Sequence, residues 1–232
     1  MTAADTYSLR AEFAAAAREI SRRGLSAGSS GNLSVRARSA AGREGFLITP
    51  SGIAFGRIEP QDLVWLPLSD PPSQDGSLGF MRPSSEWEMH ARVYLARPDA
   101  GAVLHTHSCY ATALACQEMP IPAFHYMVAA AGTDEIRVAP YALFGTTELA
   151  KAAADAMKKA DACLLSHHGV LVCAGNAEGA VALAGIVEDL ARQYIAVRSL
   201  GKPKLLGKKR MKAVMKRFRD YGQPRSGGSG ER

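Results

Sequence analysis

The spacing of apolar residues predicts an alternation of helices and strands along most of the chain. Residues 7–24 place Leu9, Phe13 and Ile20 on one face of a helix. Helical spacing recurs in "CYATALACQ", "TTELAKAAADAMKKA", "NAEGAVALAGIVEDLARQYIAVRSLG" and residues 207–219, and β-type runs occur in "GFLITPSGI", "DLVWLPL", "AGAVLHTHS", "DEIRVAPYA" and "DACLLSHHGVLVCAG". Because no regular βαβ register is present, the pattern predicts a single three-layer α/β/α domain with a mixed sheet.

The segment "PSSEWEMHARVYLARPDA" has the pattern of a helix start. Ser85 and Glu88 have the spacing of an S-x-x-E capping box, and Pro98 ends the apolar stripe. Glu86 is therefore expected in the first helical turn. A carboxylate in that position is explained by the helix dipole, or by a role in a nearby site.

Composition excludes several classes of protein. Apolar residues make up 47% and charged residues 22%, as in globular proteins, and no apolar run is long enough for a membrane span. The N-terminus lacks the charged start and apolar stretch of a secretory signal. The four cysteines show no CxxC spacing, so we expect reduced, buried thiols in a cytoplasmic protein: Cys109, Cys116, Cys163 and Cys173.

The net charge of +6 is concentrated at the C-terminal end. Residues 1–200 carry 17 basic and 20 acidic side chains, whereas residues 201–232 carry 11 basic and 2 acidic side chains. The basic segment lacks the interleaved aromatic residues of a single-strand-binding surface, so nucleic acid is not an expected partner. The linker-like composition of residues 222–232 predicts a flexible tail after a domain spanning residues 1–221.

Two of the six histidines, His105 and His107, lie two residues apart on a predicted strand. Residues i and i+2 share one face of a strand, so both imidazoles project side by side, opposite Leu104. The pair suits two ligands of one metal ion, or a structural role at a strand end. The segment "LLSHHGV" offers His167 or His168 as a third donor, and three histidines with an open position form a catalytic zinc site.

Three segments combine small hydroxyl residues with glycine or proline: residues 28–34, 49–52 and 83–86. Their hydroxyl and backbone N–H groups suit a phosphate group, although each segment alone is typical of an ordinary turn. The sequence "GSSGN" matches neither the P-loop nor the dinucleotide fingerprint, so nucleotide binding is not predicted. His90 and His125 have no partner at ligand spacing, and we expect structural roles for both.

Eight motifs follow one another from about residue 7 to Tyr221: "GLSAGSSGNLSVR", "ITPSGI", "PSSEW", "HTH", "IPAFHYMVAAAG", "APYALFGT", "HHGV" and "FRDYG". In this order and spacing the chain resembles the class II aldolase/adducin family, and within it the L-fuculose-1-phosphate aldolases. The resemblance implies a largely antiparallel central sheet and a homotetramer with active sites at subunit interfaces. Ser51 departs from the family pattern, which has threonine there.

The resemblance also implies roles for individual residues. A zinc ion, with manganese or cobalt as alternatives, would be held by His105, His107 and His168. Glu86 would be a metal ligand at rest and then the acid/base, and Tyr126 would act on the aldehyde-derived oxygen. The phosphate would be bound by Asn32, Ser51, Gly52, Ser84 and Ser85, and the pocket would be lined by Phe144, Phe218 and Tyr221.

The implied reaction is the zinc-dependent cleavage of a ketose 1-phosphate, such as L-fuculose 1-phosphate, to dihydroxyacetone phosphate and a small aldehyde. Breaking the bond next to the ketone leaves an enediolate, whose charge a Lewis acid stabilises. Similar motifs occur in aldolases of 5-deoxyribulose and methylthioribulose 1-phosphates, in pentulose-phosphate 4-epimerases and in 3-oxo-tetronate 4-phosphate decarboxylases. An adducin-head-like scaffold is the non-enzyme alternative, but a scaffold has no need of a complete metal-ligand set.

Overall fold

Strands and helices alternate along the chain as the apolar spacing predicts. The structure is a computed structural model, and it describes residues 2–70, 72–75 and 77–219. Within these residues the elements are α1 (Tyr7–Arg22), β1 (Asn32–Arg38), β2 (Glu44–Ile48), β3 (Val64–Pro67), α2 (Trp87–Ala96), β4 (Ala102–Thr106), α3 (Cys109–Cys116), β5 (Ile121–Pro122), β6 (Glu135–Ile136), β7 (Val138–Ala139), α4 (Thr147–Met157), β8 (Ala162–Leu165), β9 (Gly169–Ala174), α5 (Ala177–Ser199) and α6 (Lys208–Arg219). Short 3-10 helices cover Phe55–Arg57, Pro60–Asp62 and Tyr126–Ala131.

Seven strands form the central sheet in the order β3-β2-β1-β4-β9-β8-β7. Each neighbouring pair is antiparallel except β7 and β8, which run parallel. The mixed, largely antiparallel sheet is therefore confirmed. The single strand predicted in "DEIRVAPYA" is divided, because β6 pairs with β5 in a small separate sheet and β7 joins the central sheet.

Helices cover both faces of the sheet and make the three predicted layers. Helices α2 and α4 pack together on one face, and α1, α3 and α5 cover the other. The side chains of β4 show the division, since Leu104 belongs to the core on the α5 side and Val103 to the core on the α2 side. The alternation of strand side chains puts His105 on the same face as Val103.

Helix α2 begins later than the capping-box pattern predicts. Its N-cap is Glu86, which has non-helical dihedral angles (φ −100°, ψ 17°) and forms no side-chain capping bond. Glu88 accepts a hydrogen bond from the hydroxyl of Thr147 on α4. The predicted pairing of Ser85 with Glu88 is thus wrong, because contacts between the two helices hold Glu88 and the Glu86 carboxylate turns inward.

Half of the cysteine prediction is wrong. Cys163 and Cys173 are buried on β8 and β9, but Cys109 and Cys116 are exposed at the two ends of α3. The apolar sequence around Cys109 and Cys116 does not show which side of α3 faces solvent. All four thiols are free.

Two further predictions concern the chain's C-terminal end and membranes. Tyr221 and the predicted tail at residues 222–232 lie outside the described residues. Within the described part of the chain, no helix combines the length and the apolar character that crossing a bilayer requires.

Candidate active site

Three imidazole groups meet where the central strands end. His105 lies on β4, His107 follows that strand, and His168 lies in the turn between β8 and β9. Their ligand nitrogens all lie within 4.8 Å of one another, and the Nε2 atoms of His105 and His107 are 2.9 Å apart. Strand β9 brings the third histidine here because it pairs directly with β4, with Leu171 opposite His105. His167 is exposed and does not join the cluster.

Hydrogen bonding and burial leave His105 and His107 in the form that binds a metal. Nδ1 of His105 lies 2.9 Å from the backbone oxygen of Val170, which only accepts, so Nδ1 carries the proton and Nε2 keeps a free lone pair. Burial lowers the pKa of His105 to about 4, although the Glu86 charge opposes this. Burial likewise lowers the pKa of His107. Both rings are therefore neutral at neutral pH.

The carboxylate of Glu86 faces the histidine cluster. Its Oε2 lies 3.4 Å from Nε2 of His105 and accepts a hydrogen bond of 3.0 Å from the side-chain amide of Asn32. Its Oε1 lies 3.5 Å from Nε2 of His168 and, although buried, has no hydrogen-bond donor among the described residues. Burial raises the pKa of Glu86, but His105, His168 and the Asn32 amide together lower it by more.

This donor set fits a divalent cation. A buried carboxylate oxygen without a hydrogen-bond donor is costly to desolvate, and a cation removes that cost. Three imidazoles with one carboxylate are also the ligand types that zinc accepts in proteins. The geometry can therefore hold a metal ion between β4, the β8–β9 turn and the start of α2.

Two glycines allow backbone segments to approach the histidines closely. A Cβ atom on Gly169 would lie 2.5 Å from the backbone oxygen of Thr106 and 3.1 Å from the ring of His107. Gly31 has a φ of +82°, and a Cβ atom there would lie 2.6 Å from the backbone oxygen of His105. Larger residues at either position would displace the strand end that carries the histidines.

A cavity of about 390 Å³ opens beside Glu86, His107 and His168. Its wall brings together the hydroxyl-rich segments of the sequence analysis, because residues 49–51 pair with residues 82–84 through backbone hydrogen bonds. The predicted phosphate-binding residues all line this cavity: Asn32, Ser51, Gly52, Ser84 and Ser85. Phe144, predicted to line the pocket, does so too.

Comparison with known proteins now decides the family. The sequence model described as "Class II Aldolase and Adducin N-terminal domain" matches residues 11–195. The chain belongs to this family. The prediction from the sequence motifs is confirmed.

Relatives of this class II aldolase match along most of its length. A 5-methylthioribulose-1-phosphate/5-deoxyribulose-1-phosphate aldolase of Rhodospirillum rubrum is 44% identical over 207 residues, or 89% of each chain. An L-fuculose phosphate aldolase of Escherichia coli is 41% identical over 205 residues, covering 88% of this chain and 91% of the relative. A solved L-fuculose 1-phosphate aldolase superposes with a TM-score of 0.84 at 37% identity, covering 92% and 97%. The predictions of an enzyme and of the fold class are thereby confirmed.

Two predicted site residues of the aldolase lie apart from the cavity within one chain. The rings of Tyr126 and Phe218 are stacked, with centroids 6.4 Å apart, and line a second cavity of about 460 Å³ with Met127, Val214 and Arg217. A single chain therefore does not bring the predicted tyrosine to the metal ligands. That neighbouring subunits supply such residues stays a prediction.

The cavity wall also contains two residues that the sequence did not single out, and the histidine that the sequence offered as the alternative third donor. Tyr141 and Leu143 line it beside Phe144, and His167 lines it beside His168 of the histidine cluster. His167 has a left-handed backbone (φ +52°), which is uncommon outside glycine. The motif "APYALFGT" contains the first two residues, so its apolar and aromatic character was the available signal.

Proposed function

We propose that this aldolase binds zinc and cleaves a ketose 1-phosphate to dihydroxyacetone phosphate and a small aldehyde. One observation carries the proposal: three imidazoles cluster around Glu86, whose Oε1 has no hydrogen-bond donor among the described residues, and His107, His168 and Glu86 line a cavity together with hydroxyl-rich loops. Nitrogen ligands favour zinc over magnesium or calcium, while manganese and cobalt accept the same ligands. The names of the relatives support a sugar phosphate as substrate.

The three histidines would hold the zinc ion through their ring nitrogens. A bound zinc ion would supply Lewis-acid stabilisation of the negative charge that develops on the substrate oxygens. His105 is fixed for this task by its hydrogen bond to Val170, which sets the ring orientation. Glu86 would complete the site in the absence of substrate.

The two proposed acid/base residues act on neighbouring carbons. Cleavage breaks the bond between carbons 3 and 4, so carbon 3 gains a proton and the hydroxyl on carbon 4 loses one to become the aldehyde. Glu86 would transfer the proton at carbon 3, because its buried carboxylate gains basicity once it leaves a cation. Tyr126 of a neighbouring subunit would transfer the proton at the oxygen on carbon 4.

Neutral donors would bind the phosphate. No lysine or arginine lines the cavity among the residues that the structure describes. The hydroxyls of Ser51, Ser84 and Ser85, the amide of Asn32 and the start of α2 are the groups available. Hydrogen bonds from these groups to the phosphate would hold carbon 3 beside the proposed metal site. This positioning would contribute to the rate.

L-fuculose 1-phosphate is the first candidate substrate. 5-Methylthioribulose 1-phosphate and 5-deoxyribulose 1-phosphate form a second candidate pair, which the Rhodospirillum rubrum relative supports. The decisive assay measures dihydroxyacetone phosphate release from each of the three sugars, with lactaldehyde, methylthioacetaldehyde and acetaldehyde as the respective co-products. Conversion of a sugar without dihydroxyacetone phosphate release would instead indicate an epimerase of the family, whereas a decarboxylase needs a 3-oxo acid and would leave all three sugars unchanged.

The role of Glu86 is tested by the Glu86→Gln variant. Glutamine keeps the shape but cannot transfer the proton, so kcat should fall by about 10²–10⁴, while the three histidines retain the metal. Near-normal cleavage by this variant would refute Glu86 as the acid/base.

We also propose a homotetramer with interfacial active sites, which the separation of Tyr126 from the cavity supports. We further propose a cytoplasmic location, which the free thiols support.

A further inference from the structure

Five buried side chains form one continuous hydrogen-bonded row that ends at Glu86. The hydroxyl oxygen of Tyr94 lies 2.8 Å from Oγ of Ser34, which lies 2.6 Å from Nδ1 of His90. Nε2 of His90 lies 2.5 Å from Oδ1 of Asn32, whose Nδ2 donates to Oε2 of Glu86 at 3.0 Å. None of the five is more than 7% exposed.

The row forms because side chains on one face of a strand and side chains along one face of a helix have nearly the same spacing. Asn32 and Ser34 are two residues apart on β1, a spacing of about 6.6 Å. Glu86, His90 and Tyr94 recur every fourth residue along α2 and its N-cap, a spacing of about 6 Å. The two sets of polar side chains therefore interleave across the interface between sheet and helix.

The donor and acceptor roles of Glu86, Asn32, His90 and Ser34 in the row follow from the chemistry of their side chains. Burial lowers the pKa of His90 to about 3, so its ring is neutral and has one N–H group. The Glu86 carboxylate only accepts, so Asn32 must turn its NH2 group to it and present Oδ1 to His90. Nε2 of His90 must then donate, and Nδ1 must accept from Ser34.

We propose that His90 is a positioning residue of the aldolase site, which holds the Asn32 amide in the one orientation that donates to Glu86. Without the N–H group of His90, the amide is free to rotate and to present its oxygen to the carboxylate. The carboxylate would then swing away from the histidines. This inference rests on the proposed function of Glu86.

Two substitutions of similar size separate positioning from packing. In the His90→Gln variant the side-chain NH2 group reaches the position of Nε2 and still donates to Asn32. In the His90→Asn variant the shorter amide reaches only the position of Nδ1, so it satisfies Ser34 and leaves Oδ1 of Asn32 without its donor. Should the asparagine variant not fold, His90→Leu fills a similar volume without either bond and has the same expected outcome.

The experiment measures kcat and the visible spectrum of the cobalt-substituted enzyme for the wild type and both variants. We expect kcat of His90→Gln within about threefold of the wild type. For His90→Asn we expect at least a tenfold loss of kcat, with a changed cobalt spectrum as the carboxylate moves. Equal kcat values and identical spectra for the two variants would overturn the inference. The proposed function fails separately, if Glu86→Gln itself keeps normal turnover.

Discussion

The carboxylate of Glu188 on α5 caps the N-terminus of α3 by accepting the backbone N–H of Ala111 at 2.9 Å. Its second oxygen accepts the N–H of Tyr110 at 2.8 Å. The N-cap residue, Ser108, makes no side-chain capping bond, so a distant residue satisfies the free N–H groups of the helix. Since α3 starts two residues after His107, this contact also ties the segment that carries this proposed metal ligand to α5.

Replacing Glu188 with alanine should therefore destabilise the fold. Two N–H groups lose their acceptor, and we expect a loss of about 1–2 kcal/mol in the free energy of unfolding. Asp189→Ala is the matched control, because that residue makes an exposed ion pair with Arg192 and should cost less than about 1 kcal/mol. Urea unfolding measures both variants, and equal effects would contradict the cap.

Gly169→Ala should weaken metal binding more than the small volume of the added methyl group suggests. The added methyl group meets the Thr106 oxygen and the His107 ring, so the strand end must shift at a cost of about 1–3 kcal/mol. We expect zinc affinity to fall at least tenfold. Gly175→Ala is the control, since its Cβ would have no neighbour within 4 Å. Unchanged zinc binding in the Gly169 variant, measured by competition with a chelator, would contradict this geometry.

The stability of the metal-free protein should fall with pH below about 6.5. His90 has an ordinary pKa of 6.5 when unfolded but about 3 when folded, so in this window the unfolded chain binds one more proton. Stability is therefore full above pH 6.5 and lost as pH falls towards 3, by up to about 1.4 kcal/mol per pH unit. The groups facing His90 are Ser34, Asn32, Glu86 and His105. Urea unfolding of His90→Gln should show a slope smaller by about one proton, and an unchanged slope would contradict a neutral His90.

Mixing two inactive variants tests whether neighbouring subunits share a site. Glu86→Gln and Tyr126→Phe each lack one proposed acid/base residue. If the two residues meet only across an interface, some sites of a mixed oligomer combine the intact Glu86 of one variant with the intact Tyr126 of the other. In a random mixture these active sites make up about a quarter of all sites. No recovery in doubly tagged, purified oligomers would place both residues of a site in one chain and contradict the shared site.

The sequence specified local geometry well and long-range geometry poorly. The two-residue period of a β-strand predicted that His105 and His107 lie side by side, and the structure confirms this. Spacing did not choose between His167 and His168, whereas the family resemblance favoured His168. In the β8–β9 turn, His167 has a left-handed backbone and lies outside the histidine cluster. His90 was expected to be merely structural, because its partners Ser34 and Asn32 lie 56 and 58 residues away along the chain. The matching repeats of N-x-S on a strand and E-x3-H-x3-Y on a helix were the signal available.

Two neighbouring histidines give the most direct test of the central claim that this fold gathers one metal site. We predict one zinc ion per wild-type chain by elemental analysis, loss of that zinc in His168→Gln, and its retention in His167→Gln. Folding of each variant is checked by circular dichroism. Zinc retained equally by both folded variants, or absent from the wild-type protein after purification in zinc-containing medium, would contradict the account.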